Sequence, residues 1–312
     1  MLIDLPHDAT YAEKRGFGDA TCDGITDMIE IEDTVIFGQK YEVRIFTGYF
    51  EEGILHFKSN PKILPLPTSL SWFSSATKLD VGDVNGDGCA DIIFTQYIEQ
   101  WGRDKLNIGF ALNNQGNEFV LQTSQIAYGE NNTLEDIIVS ILEIVAQAEI
   151  TENVSDYLKM DWADMDGNGS DDLVLAWDRH NDLYVHVFFT EKTAHNVRFI
   201  GEREFFVKGF MTGRYIRYFD TEDYDCDGIM DVYIRHSPNE TTAYLSIALN
   251  RGTHLEPHKD FLVKDTDMDF FRFEKHDTFD INGDHCADMV HVGSIHRKKS
   301  LSYNLIRPHK EQ

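Results

Sequence analysis

The sequence predicts an all-β fold, a β-propeller of five four-stranded blades. Three observations carry that prediction. The pattern Asp-x-(Asn/Asp/Thr)-x-(Asp/Asn)-Gly-x-x-Asp starts at Asp19, Asp83, Asp164, Asp223 and Asp280, with His285 replacing the glycine of the last copy. Each copy runs into an apolar, β-rich stretch. The copies begin 64, 81, 59 and 57 residues apart, a period that holds four short strands per unit.

The units share one plan. A lead-in strand such as 77–81 enters the Asp loop, and the loop feeds a strand such as Ile92-Ile93-Phe94 or Leu173-Val174-Leu175. Third strands are expected at 41–46, 105–112 and 244–249, with turns at Asn113-Asn114-Gln115-Gly116 and Asn250-Arg251-Gly252. A fourth strand follows, as at 118–121. After the fifth loop only two further strands remain, at 289–292 and 301–306, so the last unit lacks its outer strand. Residues 1–9 are expected to supply it and close the ring. All of 1–312 is then one domain.

The longest interval holds an insertion at about 128–152. Within it, Thr133-Leu-Glu-Asp136 resembles a helix capping box. Leu134, Ile137, Ile138, Ile141, Leu142, Val145 and Ala148 then follow helical spacing, which predicts a helix over 134–148 packed on the propeller edge.

The Asp loops read as metal chemistry. Alternate positions aim oxygens at one point, the glycine allows a turn with positive φ, and the last Asp closes the shell. Hard oxygen donors in a flexible loop suit Ca²⁺, which takes six to eight oxygens. The candidate ligands are Asp19, Thr21, Asp23 and Asp27; Asp83, Asn85, Asp87 and Asp91; Asp164, Asp166, Asn168 and Asp172; Asp223, Asp225, Asp227 and Asp231; and Asp280, Asn282, Asp284 and Asp288. Up to five ions are expected. The loops at 19–27 and 280–288 rank weakest, because Thr21 is neutral and His285 stands where glycine eases the turn. An EF-hand is excluded. It needs a Glu at loop position twelve and flanking helices, whereas position twelve is Glu30, Phe94, Leu175, Ile234 and His291.

The formal net charge is −26, which opposes duplex nucleic acid and anionic membrane surfaces as partners. Five bound Ca²⁺ would offset ten of those charges, so the acidity is in part a metal-site signature. No run of about 18 apolar residues is present, so no membrane span is expected. All four cysteines fall inside the loops. Cys22 and Cys226 share one repeat position, and Cys89 and Cys286 share another. Equivalent positions of separate repeats should be held apart, so four free thiols are expected.

Gly82-Asp-Val-Asn-Gly-Asp-Gly-Cys-Ala-Asp-Ile-Ile-Phe94 and Ala163-Asp-Met-Asp-Gly-Asn-Gly-Ser-Asp-Asp-Leu-Val-Leu175 resemble the FG-GAP/VCBS repeat, which builds integrin-alpha-type calcium-binding propellers. The resemblance runs from about Phe17 to Val292, although the full Phe-Gly…Gly-Ala-Pro signature is missing. It implies a calcium-stabilised scaffold that binds a protein or glycan, as in adhesion and toxin-associated modules.

No nucleophile elbow, zinc-protease motif or phosphate-cradling glycine loop is present, so a non-catalytic binding module is expected. A lectin is the alternative, with Trp72 and Trp101 in inter-strand loops as candidate sugar-stacking residues. A lyase or hydrolase with a site in the central channel is the second alternative. Trp162 and Trp177 adjoin core strands and read as structural. His254 and His258 read as surface residues, and His296-Arg-Lys-Lys299 as a solvated basic turn. The N-terminus lacks the plan of a secretory signal, yet the weak affinity of extracellular calcium modules favours an extracellular or exported setting.

Overall fold

The computed structural model describes residues 2–4, 15–33, 41–65, 78–98, 105–122, 127–128, 132–133, 159–179, 181–193, 197–210, 216–239, 242–258, 261–263, 275–279, 286, 288–295 and 298–304. Those residues form strands, turns and bends, with no helix among them. The helix expected at 134–148 lies outside the described residues. Two short strands, Ala127–Tyr128 and Asn132–Thr133, stand in or beside the expected insertion. The first pairs in parallel with the outer strand of the third sheet, so this part of the insertion widens a sheet.

The architecture is a β-propeller arrangement of sheets built in chain order. The first sheet runs Arg15–Gly18, Asp27–Asp33, Tyr41–Phe46 and Lys62–Pro65. The second runs Lys78–Gly82, Asp91–Ile98, Lys105–Asn114 and Glu118–Gln122. The third runs Lys159–Ala163, Asp172–Arg179, Asp182–Thr190 and Arg198–Val207, with the two short strands outside it. In the fourth, Ile216–Glu222, Asp231–Asn239 and Thr242–Asn250 are followed by Leu255–Pro257 and Phe261–Val263, both paired to the third strand. The last sheet holds Lys275–Phe279, Asp288–Ile295, Lys298–Asn304 and the N-terminal Leu2–Asp4. Leu2, Ile3 and Asp4 pair antiparallel with Ser302, Leu301 and Ser300, as the missing outer strand required.

First strands of successive sheets lie side by side. The approach is close: between the first two sheets a Cβ on Gly18 would come within 2.7 Å of Val81 Cγ1 and 2.8 Å of Ala90 Cβ. Between the third and fourth sheets, the Thr221 amide and hydroxyl both donate to Asp161 Oδ2, at 2.8 and 2.7 Å. Inside the first sheet, Arg15 and Glu30 form a buried ion pair. The sequence did not announce one hairpin, Gly48–Glu51 with Ile54–Phe57, inserted before the outer strand of the first sheet. Its tip, Glu52-Gly53, has φ of 53° and 76°, a two-residue turn that matches strand twist.

Strand periodicity divides the core into layers between sheets. In Asp172–Arg179, Leu173, Leu175 and Trp177 face the second sheet and pack with Ile93, Phe110 and Phe188. Val174 and Ala176 face the fourth sheet and pack with Phe219, Val232 and Ile234. Ile92 and Phe94 turn the other way, onto Ile29 and Ile45 of the first sheet. A middle strand buried on both faces reads as a continuous apolar run, which is why the stretches after the Asp loops look alike. Trp162 and Trp177 are buried in this core. His254 and His258 are exposed.

The four cysteines are not free. Cys22 bonds Cys89, and Cys226 bonds Cys286. The expectation failed because the bonds do not join equivalent positions: the fourth residue of one loop meets the seventh of the next. The same contact recurs without sulfur. At the junction of the second and third loops, a Cβ on Gly86 would lie 2.8 Å from Gly169 O, and Ser170 Oγ donates to Val84 O at 3.0 Å. At the next junction, a Cβ on Gly167 would lie 3.9 Å from Ile229 Cγ1. The fourth residue has positive φ in every described loop: Cys22 60°, Gly86 70°, Gly167 74° and Cys226 64°.

This repetition yields a test. The double variant Gly167→Cys/Ile229→Cys is expected to form a third disulfide on oxidative folding, since Cys already takes the same φ at Cys22 and Cys226. It would close a loop of similar length and stabilise by about 4 kcal/mol in the chain-entropy account. Thiol titration of the folded variant should find none free. Two titrating thiols would show that this junction is built differently.

Candidate metal centre

The described Asp loops share one hydrogen-bond plan. The first carboxylate accepts from the amides of the fifth and sixth residues: Asp19 from Asp23 and Gly24, Asp83 from Asp87 and Gly88, Asp164 from Asn168 and Gly169, Asp223 from Asp227 and Gly228. The eight distances are 2.6–3.0 Å. Glycine stands sixth with φ of 82–90°, where a Cβ would be strained. The fifth side chain accepts from the seventh amide, as Asp87 Oδ1 does from Cys89 at 3.0 Å and Asn168 Oδ1 from Ser170 at 2.8 Å. Side-chain oxygens of positions one, three and five thus ring the turn.

The ninth residue ties the loop to its unit. Oδ1 of Asp91, Asp172 and Asp231 accepts the third-strand amides of Asn113, Thr190 and Asn250, and Oδ1 of Asp27 accepts the amide of Gly48, which opens the hairpin just after the third strand, all at 2.6–2.8 Å. Oδ2 of Asp27, Asp172 and Asp231 accepts a loop amide, from Thr21, Met165 and Tyr224 respectively, at 2.8–3.0 Å. Asp91 Oδ2 is buried with no hydrogen-bond partner. The closing Asp, expected as a ligand, is therefore also the pin between loop and strand.

Sequence reasoning read Asn113 and Asn250 only as turn residues. Both are buried. Asn113 Nδ2 donates to Ala20 O of the preceding loop at 2.9 Å and to Ala90 O of its own loop at 3.0 Å. Asn250 Nδ2 does the same with Met165 O at 2.9 Å and Met230 O at 3.1 Å. In the third sheet the hydroxyl of Thr190 takes part of this role, donating to Asp171 O at 3.0 Å. The available signal was an Asn ending the third strand of two units.

Loops are joined directly as well. The eighth amide of one loop donates to the first carbonyl of the loop before it: Ala90 to Asp19 at 2.7 Å, Asp171 to Asp83 at 2.9 Å, and Met230 to Asp164 at 3.3 Å. The Asp171 carboxylate also accepts the Asp83 amide at 2.6 Å.

Two loops bring three acids together, with one oxygen from each lying within 4.8 Å of the others: Asp164, Asp166 and Asp172, and Asp223, Asp225 and Asp227. In the fourth loop, Arg251 Nη1 lies 2.6 Å from Asp225 Oδ2 and 3.4 Å from Asp227 Oδ2, a cation supplied by the chain to its most acidic loop. Asp225 Oδ1 is buried without a hydrogen-bond partner. Asp280, Asn282 and Asp284 of the fifth loop, together with Trp72 and Trp101, lie outside the described residues. Asp288 opens a strand of the last sheet.

Burial raises the pKa of several loop carboxyls. Asp27 is pushed up to about 6, Asp231 to about 7 and Asp172 to about 8, in each case despite hydrogen bonds that lower it. Asp91 is raised well above the ordinary range by the same burial, and Asp19, Asp83, Asp166 and Asp223 are raised as well. Outside the Asp loops, Asp178 is pushed up to about 6 by burial. Clustered carboxyls, among them buried oxygens with no hydrogen-bond partner, fit a hard divalent cation, which would bind them in the ionised form. Positions one, three and five, with position nine in the third loop, are the residues that would hold it.

No protein-family model matches the chain, and no curated protein matches it. Among solved structures, it is similar to an Agrocybe aegerita lectin described as recognising non-reducing terminal N-acetylglucosamine. That likeness has 15% identity and a TM-score of 0.45, covering 93% of this chain and 79% of the lectin. It is also similar to the exotype rhamnogalacturonan lyase YesX, at 13% identity and a TM-score of 0.38. There 93% of this chain matches 46% of the lyase, so the chain spans less than half of that enzyme.

The raised carboxyls set a pH dependence for metal-free protein. The folded-state pKa values of Asp27, Asp172 and Asp231 exceed the unfolded value of about 3.9. The folded state therefore binds more protons between that value and about pH 8, and stability falls as pH rises through this window. In chelator, the Tm is expected to drop by roughly 5–10 °C between pH 5 and pH 8, and calcium should remove most of the drop. A Tm that rises over the same interval would contradict this.

Proposed function

We propose that this chain is a calcium-loaded β-propeller of five blades, closed by its N-terminal strand and built from FG-GAP/VCBS-type repeats. It acts as a non-catalytic scaffold that binds a protein or glycan partner. The observation that carries the reading is the repeated loop geometry. In four successive sheets the same positions turn oxygens toward the same turn, and hydrogen bonds chain those loops along one end of the sheets. When bound, calcium would supply positive charge to acids that otherwise repel one another, and their oxygens would coordinate it. The loops' own residues fix where those oxygens point. Two disulfides fit an oxidising, extracellular setting, in which calcium is plentiful. Among the described residues no helix is long and apolar enough to cross a membrane.

Elemental analysis of protein dialysed against calcium tests the reading. Bound calcium at several ions per chain is expected, with a Tm that falls on chelation because a ligand held only by the folded state stabilises it. A calcium-free protein whose Tm ignores chelator would overturn it.

A glycan as the partner is favoured by one further observation. Trp177, Tyr184 and Phe206 pair in register across the third sheet. Trp177 stacks on Tyr184 at 5.6 Å, and Tyr184 meets Phe206 at 5.0 Å. The row ends with Phe206 51% exposed, an apolar face of the kind a sugar ring covers. Binding to an array of neutral glycans, lost in Phe206→Ala at unchanged Tm, is the expected result. Silence across the array would leave the protein-binding reading alone.

A further inference from the structure

The two disulfides lie between candidate metal loops. Cys22 stands between Thr21 and Asp23, two of the first loop's candidate ligands. Cys89 follows Asp87 by two residues and precedes Asp91 by two. Cys226 stands between Asp225 and Asp227. The Cα atoms of Cys22 and Cys89 are 4.8 Å apart, and those of Cys226 and Cys286 are 5.0 Å apart. The third loop carries no cysteine, and its two junctions use Gly86 with Ser170 and Gly167 with Ile229.

We infer that the disulfides position the metal-binding oxygens, so that the first, second and fourth loops bind calcium in a bond-dependent way while the third does not. The inference rests on the calcium reading and goes beyond it by assigning the cysteines a role toward the ion. The physical argument is local. The fourth residue holds φ of 60° at Cys22 and 64° at Cys226, a region that residues with a Cβ enter reluctantly. A covalent tie to the next loop holds it there. Once the tie is cut, the residue is free to leave that conformation, and the ligands on either side of it move with it. Each ion must then order the loop again as it binds.

A conservative variant keeps a Cβ at both positions. Cys22→Ser/Cys89→Ser removes the bond and leaves at position 22 a residue that holds positive φ reluctantly, with hydroxyls in place of the two sulfurs. The fold should survive, as judged by circular dichroism. Calorimetric calcium titration of the full chain is expected to move two sites to about tenfold weaker Kd and leave the remaining sites in place. The shift should persist in an Asp166→Asn background, where the third loop is disabled.

Wild-type protein treated with a dithiol reductant gives the same comparison without mutation. Each protein S–S bond takes up two electrons and two protons to give two thiols, and the dithiol is oxidised to its disulfide. Weaker calcium binding in the reduced protein supports the inference. Identical titrations of wild type and the folded variant would overturn it. An oxidised wild type that binds no calcium would instead overturn the metal reading beneath it.

Discussion

Among the described residues, the first three Asp loops give their first carbonyl to the loop that follows, and the first four give their last carboxylate to a backbone amide of their own unit. Those two hydrogen bonds constrain the rest of the structure. The bond from Ala90, Asp171 or Met230 to the preceding loop sets the separation between neighbouring sheets at one end. The bond that Asp91, Asp172 or Asp231 accepts from a third-strand amide, and Asp27 from Gly48 just beyond that strand, sets the height of the loop on its sheet. With both fixed, the apolar second strands come to lie face to face, and the layers around Phe94, Trp162 and Val174 follow. Asn113 and Asn250 serve both bonds, since each side chain spans its own loop and the loop before it.

The arrangement is electrostatically costly. Carboxylates that pin the loops are buried in places where an unpaired charge is unfavourable, and their raised pKa values record that cost. The chain offsets part of it with backbone amides, and in the fourth loop with Arg251. What remains is negative charge concentrated along one end of the sheets, which a divalent cation suits better than a monovalent side chain. On the proposed calcium reading, fold stability and metal binding are one problem, because the same carboxylates would serve both.

Much of this was legible in the residues. The Asp loops marked the units, the apolar runs after them marked the strands buried on both faces, and the shortage of a last strand pointed to Leu2–Asp4. Trp162 and Trp177 were correctly placed in the core. The disulfides were not legible, because repeat alignment compares like positions with like, and the bonds join the fourth position of one loop to the seventh of the next. That offset is a property of how neighbouring loops meet in space. The same blindness hid Asn113 and Asn250, whose partners in the preceding loop are 93 and 85 residues away. The hairpin at Gly48–Phe57 was missed for a different reason: its strands are short and half exposed, so neither has a strong alternating pattern.

Hydrogen exchange of the amides of Ala90, Asp171 and Met230, with calcium and with chelator, is the most direct test of the loop chain. The account predicts that all three are strongly protected in calcium and lose protection together on chelation, while the mid-strand amides of Ile93, Leu175 and Ile234 stay protected. Loop amides that exchange at the same rate in both conditions, or that open independently of one another, would contradict it.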